Sequence, residues 1–202
     1  MYKDCKSDDC IVSAIRNYTQ RIQNVTLTPD DHSEALKFLI HFLGDITQPL
    51  HDEGMDDGGN KINVTWNGIP KKLHGVWDTE IVEKTAGGPN STAIVNNFST
   101  SLTQKIKSGS FANTTEWVSC VDVADPKTCA LAWATDANKW ICSYVLKDIK
   151  EVRGKELNGT YFEGAKGIVE TQIAKGGVRL AWWLNSLAVV NKGREYQKEL
   201  KV

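Results

Sequence analysis

The sequence predicts an all-α fold: a single helical domain with one small β-hairpin near residues 61–73. Three observations carry this. Apolar residues recur at intervals of three and four over most of the 202 positions. Prolines and capping residues stand where those runs begin or end. Only "KINVTWNGIPKKL" alternates with a period of two, and it does so around an Asn-Gly pair.

The elements follow in order. After Asp8 and Asp9, apolar Ile11, Ile15, Tyr18 and Ile22 mark a first helix. Pro29-Asp30-Asp31 opens a second, with acids in its first turn and Leu36, Leu39, Ile40 and Leu43 expected inside. Pro49 stops it, because proline lacks the amide donor and collides with the preceding turn. The acidic, glycine-rich stretch "DEGMDDGGN" reads as a loop. In the hairpin, Ile62, Val64 and Trp66 share one face, and Asn67-Gly68 makes the turn. A helix begins near His74, and three more are expected over about 91–108, 129–150 and 161–191. Gly176-Gly177 inside the last one predicts a bend or a close approach by another element.

A chain of this length buries a substantial core. With 41% apolar and 24% charged residues it has an ordinary globular composition. A net charge of -1 gives no sign of a basic tail or a broad nucleic-acid-binding face, so a phosphate-bearing partner would have to be held by local charge, which bound metal would supply. The longest apolar run, "LAWWLNSLAVV", is too short to span a bilayer and contains Asn185, so no membrane partner is expected.

Sequons at Asn17, Asn24, Asn63, Asn90, Asn97, Asn113 and Asn158 predict a glycosylated, secreted chain. The cysteines agree. Cys5 and Cys10 enclose a short loop, as do Cys120 and Cys129, and both pairs lie close enough to bridge. Cys142 is left over, either as a buried thiol or with a partner outside this chain.

The chemistry concentrates in "HFLGDITQPLH" and "HGVWD". Of four histidines, three stand near two aspartates as H-x3-D-x5-H-x22-H-x3-D: His41, Asp45, His51, His74 and Asp78. On a helix, His41 and Asp45 share a face, and so do His74 and Asp78. Imidazole and carboxylate are the ligands zinc takes when sulfur is absent. Five such groups exceed what one tetrahedral ion needs, which points to a multi-metal site. Adjacent metal ions hydrolyse phosphate esters by activating water and neutralising phosphoryl charge. A lone histidine on an apolar helix is ordinarily a satisfied core residue; two matched pairs around a helix break are not. His32, alone on a first turn, reads as solvent-facing.

"FLIHFLGDITQPLH", "GGN", "LHGVWD" and "GVRLAWWLN" resemble the zinc-dependent secreted single-strand nucleases of fungi and plants, the S-one/P-one nuclease family. The resemblance implies a mostly helical fold, three zinc ions in a cleft, and cleavage of single-stranded DNA and RNA to 5′-nucleotides, in many members with 3′-nucleotidase activity. By the same resemblance His41 and Asp45 ligate a first zinc and Asp45 bridges to another. His51, His74 and Asp78 hold the second, which makes it the one complete site expected in this chain. Asn60, after the paired glycines, would contact a nucleotide. Cys5–Cys10 matches a short disulfide of the family. The protein is expected to be a monomer.

The departures lie at the N-terminus. The family's zinc-ligating N-terminal tryptophan, further metal ligands, the aspartate that orients the attacking water and the partner of Cys142 all belong to a segment that would precede residue 1. The expectation is therefore an N-terminally truncated chain that is weakly active or inactive. Two rivals stand beside the nuclease. A zinc phospholipase C shares much of the ligand pattern, and a non-catalytic secreted zinc-binding glycoprotein would need only the complete site.

Overall fold

The computed structural model describes residues 9–111 and 113–199, with side chains to residue 191. Helices α1 (Ile11–Gln23) and α2 (Pro29–Asp45) lead into a tight turn over Pro49–Asp52. Strands β1 (Asn63–Trp66) and β2 (Ile69–Lys72) follow. Helix α3 (Leu73–Gly75) passes through a widened turn, Val76–Glu80, into α4 (Ile81–Ala86). Then come α5 (Thr92–Lys107), α6 (Pro126–Trp140) with a widened turn over Ile141–Val145, and α7 (Thr160–Glu199). The protein is mostly helical with one small antiparallel sheet, as expected. No helix among the described residues is long and apolar enough to cross a membrane.

Local chemistry sets the boundaries. Thr28 caps α2: its side chain accepts from Asp31 N at 3.2 Å, and Asp31 Oδ2 accepts from Thr28 N at 3.3 Å, with Pro29 in the first turn. Regular helix stops at Asp45, and Pro49 opens the tight turn rather than ending α2 directly. The helix expected over 129–150 begins earlier, at Pro126, because Asp125 accepts from Thr128 N at 3.4 Å and so caps it.

The hairpin pairs Asn63 with Lys72 and Trp66 with Ile69. Asn67 (φ 54°) and Gly68 (φ 73°) both take left-handed conformations, which match the twist of a two-residue turn. Glu156 clamps that turn, accepting from Asn67 N at 3.0 Å and Gly68 N at 2.9 Å. These amides hold its carboxyl down at about 2. Ile62, Val64 and Trp66 all point inward, as their alternation requires.

Two apolar clusters form the interior. One gathers the hairpin, Trp77, Ile81 and the start of α7; the other gathers α1, α2, α6 and the later part of α7. Helix α7 therefore runs through both. Between them its buried face turns polar: Gln172 donates to Thr47 O at 2.9 Å. At Gly176 the space for a Cβ is taken by Thr47, whose Cγ2 would lie 3.1 Å away. The close approach expected at the paired glycines is thus made by the segment joining α2 to the tight turn, which seats that turn on α7. Farther along, buried Trp183 donates from Nε1 to Thr19 Oγ1 at 3.1 Å and ties α7 to α1.

Cys120 and Cys129 form a disulfide that fixes the preceding loop to the first turns of α6. Cys142 is free and exposed, which excludes the buried-thiol reading. Cys5, and with it the expected Cys5–Cys10 bridge, lies outside the described residues. His32 is not simply solvent-facing: its Nε2 lies 2.8 Å from Asn24 O, bracing the loop between α1 and α2.

Candidate metal centre

Three side chains from two elements converge. His51 comes from the tight turn, and His74 and Asp78 from the helix after the hairpin. Their ligand atoms all lie within 4.8 Å of one another. The two imidazoles stack at 4.9 Å between ring centroids. His51 Nε2 lies 3.2 Å from Asp78 Oδ1, and His74 Nε2 lies 3.3 Å from Asp78 Oδ2. Each carboxylate oxygen thus faces one ring nitrogen.

The surroundings orient these groups. Gly58 O sits 2.7 Å from His74 Nδ1 and fixes that nitrogen as the donor, so Nε2 is the nitrogen turned toward Asp78. Gly58 has φ +59°, and a Cβ there would fall 2.8 Å from Leu50 O, so glycine is required for this approach. Gln48 donates from Nε2 to Asp78 Oδ1 at 2.8 Å while its Oε1 accepts from Leu50 N at 2.5 Å. One amide therefore caps the tight turn and holds the carboxylate. Asn138 on α6 donates to Asp52 O at 2.8 Å and fixes the turn from behind.

The electrostatics are those of a site built for positive charge. Burial opposes a charge on His51, yet hydrogen bonds to Asp45 and Asp78 raise its pKa to about 9. Burial likewise opposes ionisation of Asp78, but His51 and Gln48 hold its carboxyl below the usual range. Asp52 has no such hydrogen bond, and the nearby His51 offsets its burial only in part. Both its oxygens are buried without a hydrogen-bond partner among the described residues, and burial drives its carboxyl up to about 9.

His41 and Asp45 pair as their spacing requires, with His41 Nε2 3.0 Å from Asp45 Oδ2. Asp45 Oδ2 also lies 3.7 Å from His51 Nδ1, so this pair adjoins the triad. His41 is 65% exposed in its side chain, and of the apolar residues expected inside α2 only Leu39 and Leu43 are buried, while Leu36 and Ile40 stand exposed. Among the described residues no third ligand joins His41 and Asp45. Asn60 sits exposed beside the glycine pair that backs His74, and its Nδ2 donates to Asp57 O at 2.9 Å.

Two imidazoles and a carboxylate, with the imidazole tautomer already set, suit a zinc-type ion. The chain also matches the family described as S1/P1 Nuclease over residues 1–189. It belongs to the S1/P1 nuclease family. It is 43% identical over 187 residues to Nuclease PA3 of a Penicillium species, covering 92% of this chain and 69% of that protein. It is 42% identical to Nuclease P1 of Penicillium citrinum over the same shares. It is 32% identical to Endonuclease 3 of Arabidopsis thaliana, covering 92% of this chain and 63% of that one. This S1/P1 nuclease chain thus spans about two thirds of the length of these relatives.

Sequence reasoning missed Gln48, Asp52 and the carbonyl of Gly58. Gln48 carried a signal, since a polar residue before proline at a helix break often caps the next turn. The widened turn at Val76–Glu80, which carries Asp78, had none.

Proposed function

We propose that this chain carries the metal-binding core of a zinc-dependent nuclease that hydrolyses single-stranded DNA and RNA to 5′-nucleotides, with a separate 3′-nucleotidase activity on nucleotides that carry a 3′-phosphate. The observation that supports it is the convergence of His51, His74 and Asp78 in a chain of the S1/P1 nuclease family. Bound there, zinc would activate water and neutralise phosphoryl charge. The protein's part is to hold the ligands. Gly58 O fixes the His74 tautomer, Gln48 anchors Asp78, and Asn138 steadies the turn bearing His51. Asp45 stands between His41 and His51, where it can serve an adjoining ion. Asn60 is the proposed nucleotide contact.

The sequons support a secreted glycoprotein. Asn17, Asn24, Asn63, Asn90, Asn97 and Asn113 are exposed, whereas the Asn158 amide donates to Asn67 Oδ1 and its carbonyl accepts from Lys84 at 2.5 Å. We propose that Asn158 stays unmodified.

The test is an assay on single-stranded DNA, with EDTA controls, of this chain and of a chain extended at its N-terminus to the relatives' full length. Zinc-dependent cleavage is expected, stronger in the extended chain. Failure of both would overturn the reading. One observation favours the rival phospholipase: an apolar groove of about 720 Å³, between α4, α5 and α7, begins at Asp78. Release of diacylglycerol from lecithin, without nucleotide release from DNA, would decide for it.

A further inference from the structure

A second charged cluster lies between α6 and α7. It borders a cavity of about 450 Å³ lined by Trp117, Trp133, Asp136, Lys139, Lys175 and Arg179. Lys175 is only 6% exposed and Arg179 only 4%. One carboxylate serves all three cations. Asp136 Oδ1 pairs with Lys139; Asp136 Oδ2 accepts from Lys175 Nζ at 2.6 Å and from Arg179 Nη2 at 2.9 Å.

The remaining valences of the guanidinium are informative. Arg179 Nε donates to Trp117 O at 3.1 Å, and its plane lies near the Trp133 ring, 5.5 Å from the centroid. Nη1 is buried and finds no acceptor among the described residues. The other acid on the wall, Glu116, is exposed and screened by solvent. Among the described residues, two buried cations therefore share a single, partly buried countercharge, an arrangement that costs desolvation energy without full repayment. Burial also lowers the pKa of both Lys175 and Arg179.

An oxyanion would correct this imbalance. It brings charge and several acceptor oxygens, and a guanidinium with a lysine is the donor set that suits phosphate. We propose that this cavity is a phosphate-binding site, separate from the His51–His74–Asp78 centre, for a phosphate group either free or carried on a nucleotide. Lys139, on the exposed rim, would close on the bound anion, while Asp136 competes with it for the same donors.

The test is a titration of the folded chain with inorganic phosphate and, separately, with thymidine 5′-monophosphate. Binding is followed at the indole N–H signals of Trp117 and Trp133 and at the Arg179 Nε–H signal, which report this cavity and not the metal centre. Saturable shifts are expected. Lys139→Ala should weaken binding by about threefold to tenfold, as loss of one partly exposed charge-assisted contact would. Asp136→Asn should tighten it by removing the competing carboxylate. Tighter binding of the nucleotide than of phosphate would identify an esterified phosphate as the ligand; equal binding would identify the free anion. If Asp136→Asn does not fold, Lys139→Ala decides alone, because its side chain is 55% exposed. No saturable shift, or equal affinity in wild type and Lys139→Ala, would overturn the proposal.

Discussion

Gln48 and Asp78, thirty residues apart, are joined by a 2.8 Å hydrogen bond that fixes a carboxylate of the proposed zinc site. The same amide accepts from Leu50 N, so its position is set by the backbone of the turn that carries His51. Gln48→Ala should lower zinc affinity by about tenfold to a hundredfold, the usual effect of losing a group that orients a metal ligand. Chelator competition would measure it. An unchanged affinity would mean that Asp78 is held by the helix alone.

The two histidine–aspartate pairs should behave differently. His74→Ala removes a member of the triad, and zinc should be lost from the folded chain. His41→Ala, at an exposed position with no third ligand nearby among the described residues, should leave close to one zinc per chain. Elemental analysis of folded protein checks both. Zinc lost in the His41 variant alone would reverse the assignment.

Zinc affinity should rise with pH. Ligation needs the neutral imidazole, and Asp45 and Asp78 raise His51 to about 9, so binding expels a proton below that value. The expected slope is about one decade of affinity per pH unit between 6.5 and 9. The metal-free protein should show the opposite trend in stability. A folded pKa above the unfolded 6.5 means that His51's contribution is complete below 6.5 and disappears as pH approaches 9. Zinc titrations and thermal melts across this range would test the pair of trends, and a flat affinity profile would refute the first.

Gly58→Ala should destabilise the fold by about 1–3 kcal/mol, since it combines a left-handed backbone with a methyl pressed on Leu50 O. The loop should shift and release His74, so zinc affinity should fall as well. Gly68→Ala shares only the backbone strain, because nothing lies within 4 Å of its missing Cβ. It should cost less and leave zinc binding intact. Urea melts and zinc titrations on both variants separate the two effects.

The sequence alone determined the helical class, the hairpin and its turn, because periodicity, prolines and the Asn-Gly pair are local signals. It also determined which residues pair: His41 with Asp45 and His74 with Asp78 stand one helical turn apart, and helix geometry leaves little choice. Tertiary structure decided what such spacing cannot reach. It brought His51 to His74 across the loop, set the imidazole tautomer through Gly58 O, and placed Gln48 on Asp78. It also left His41 exposed, although its neighbours in sequence are apolar. Burial there depends on which elements cover α2, and periodicity states only which face a residue occupies. The Asp136–Lys175–Arg179 cluster was invisible for the same reason. Its members are ordinary helix-surface residues until α6 and α7 pack together and exclude water from the charges between them.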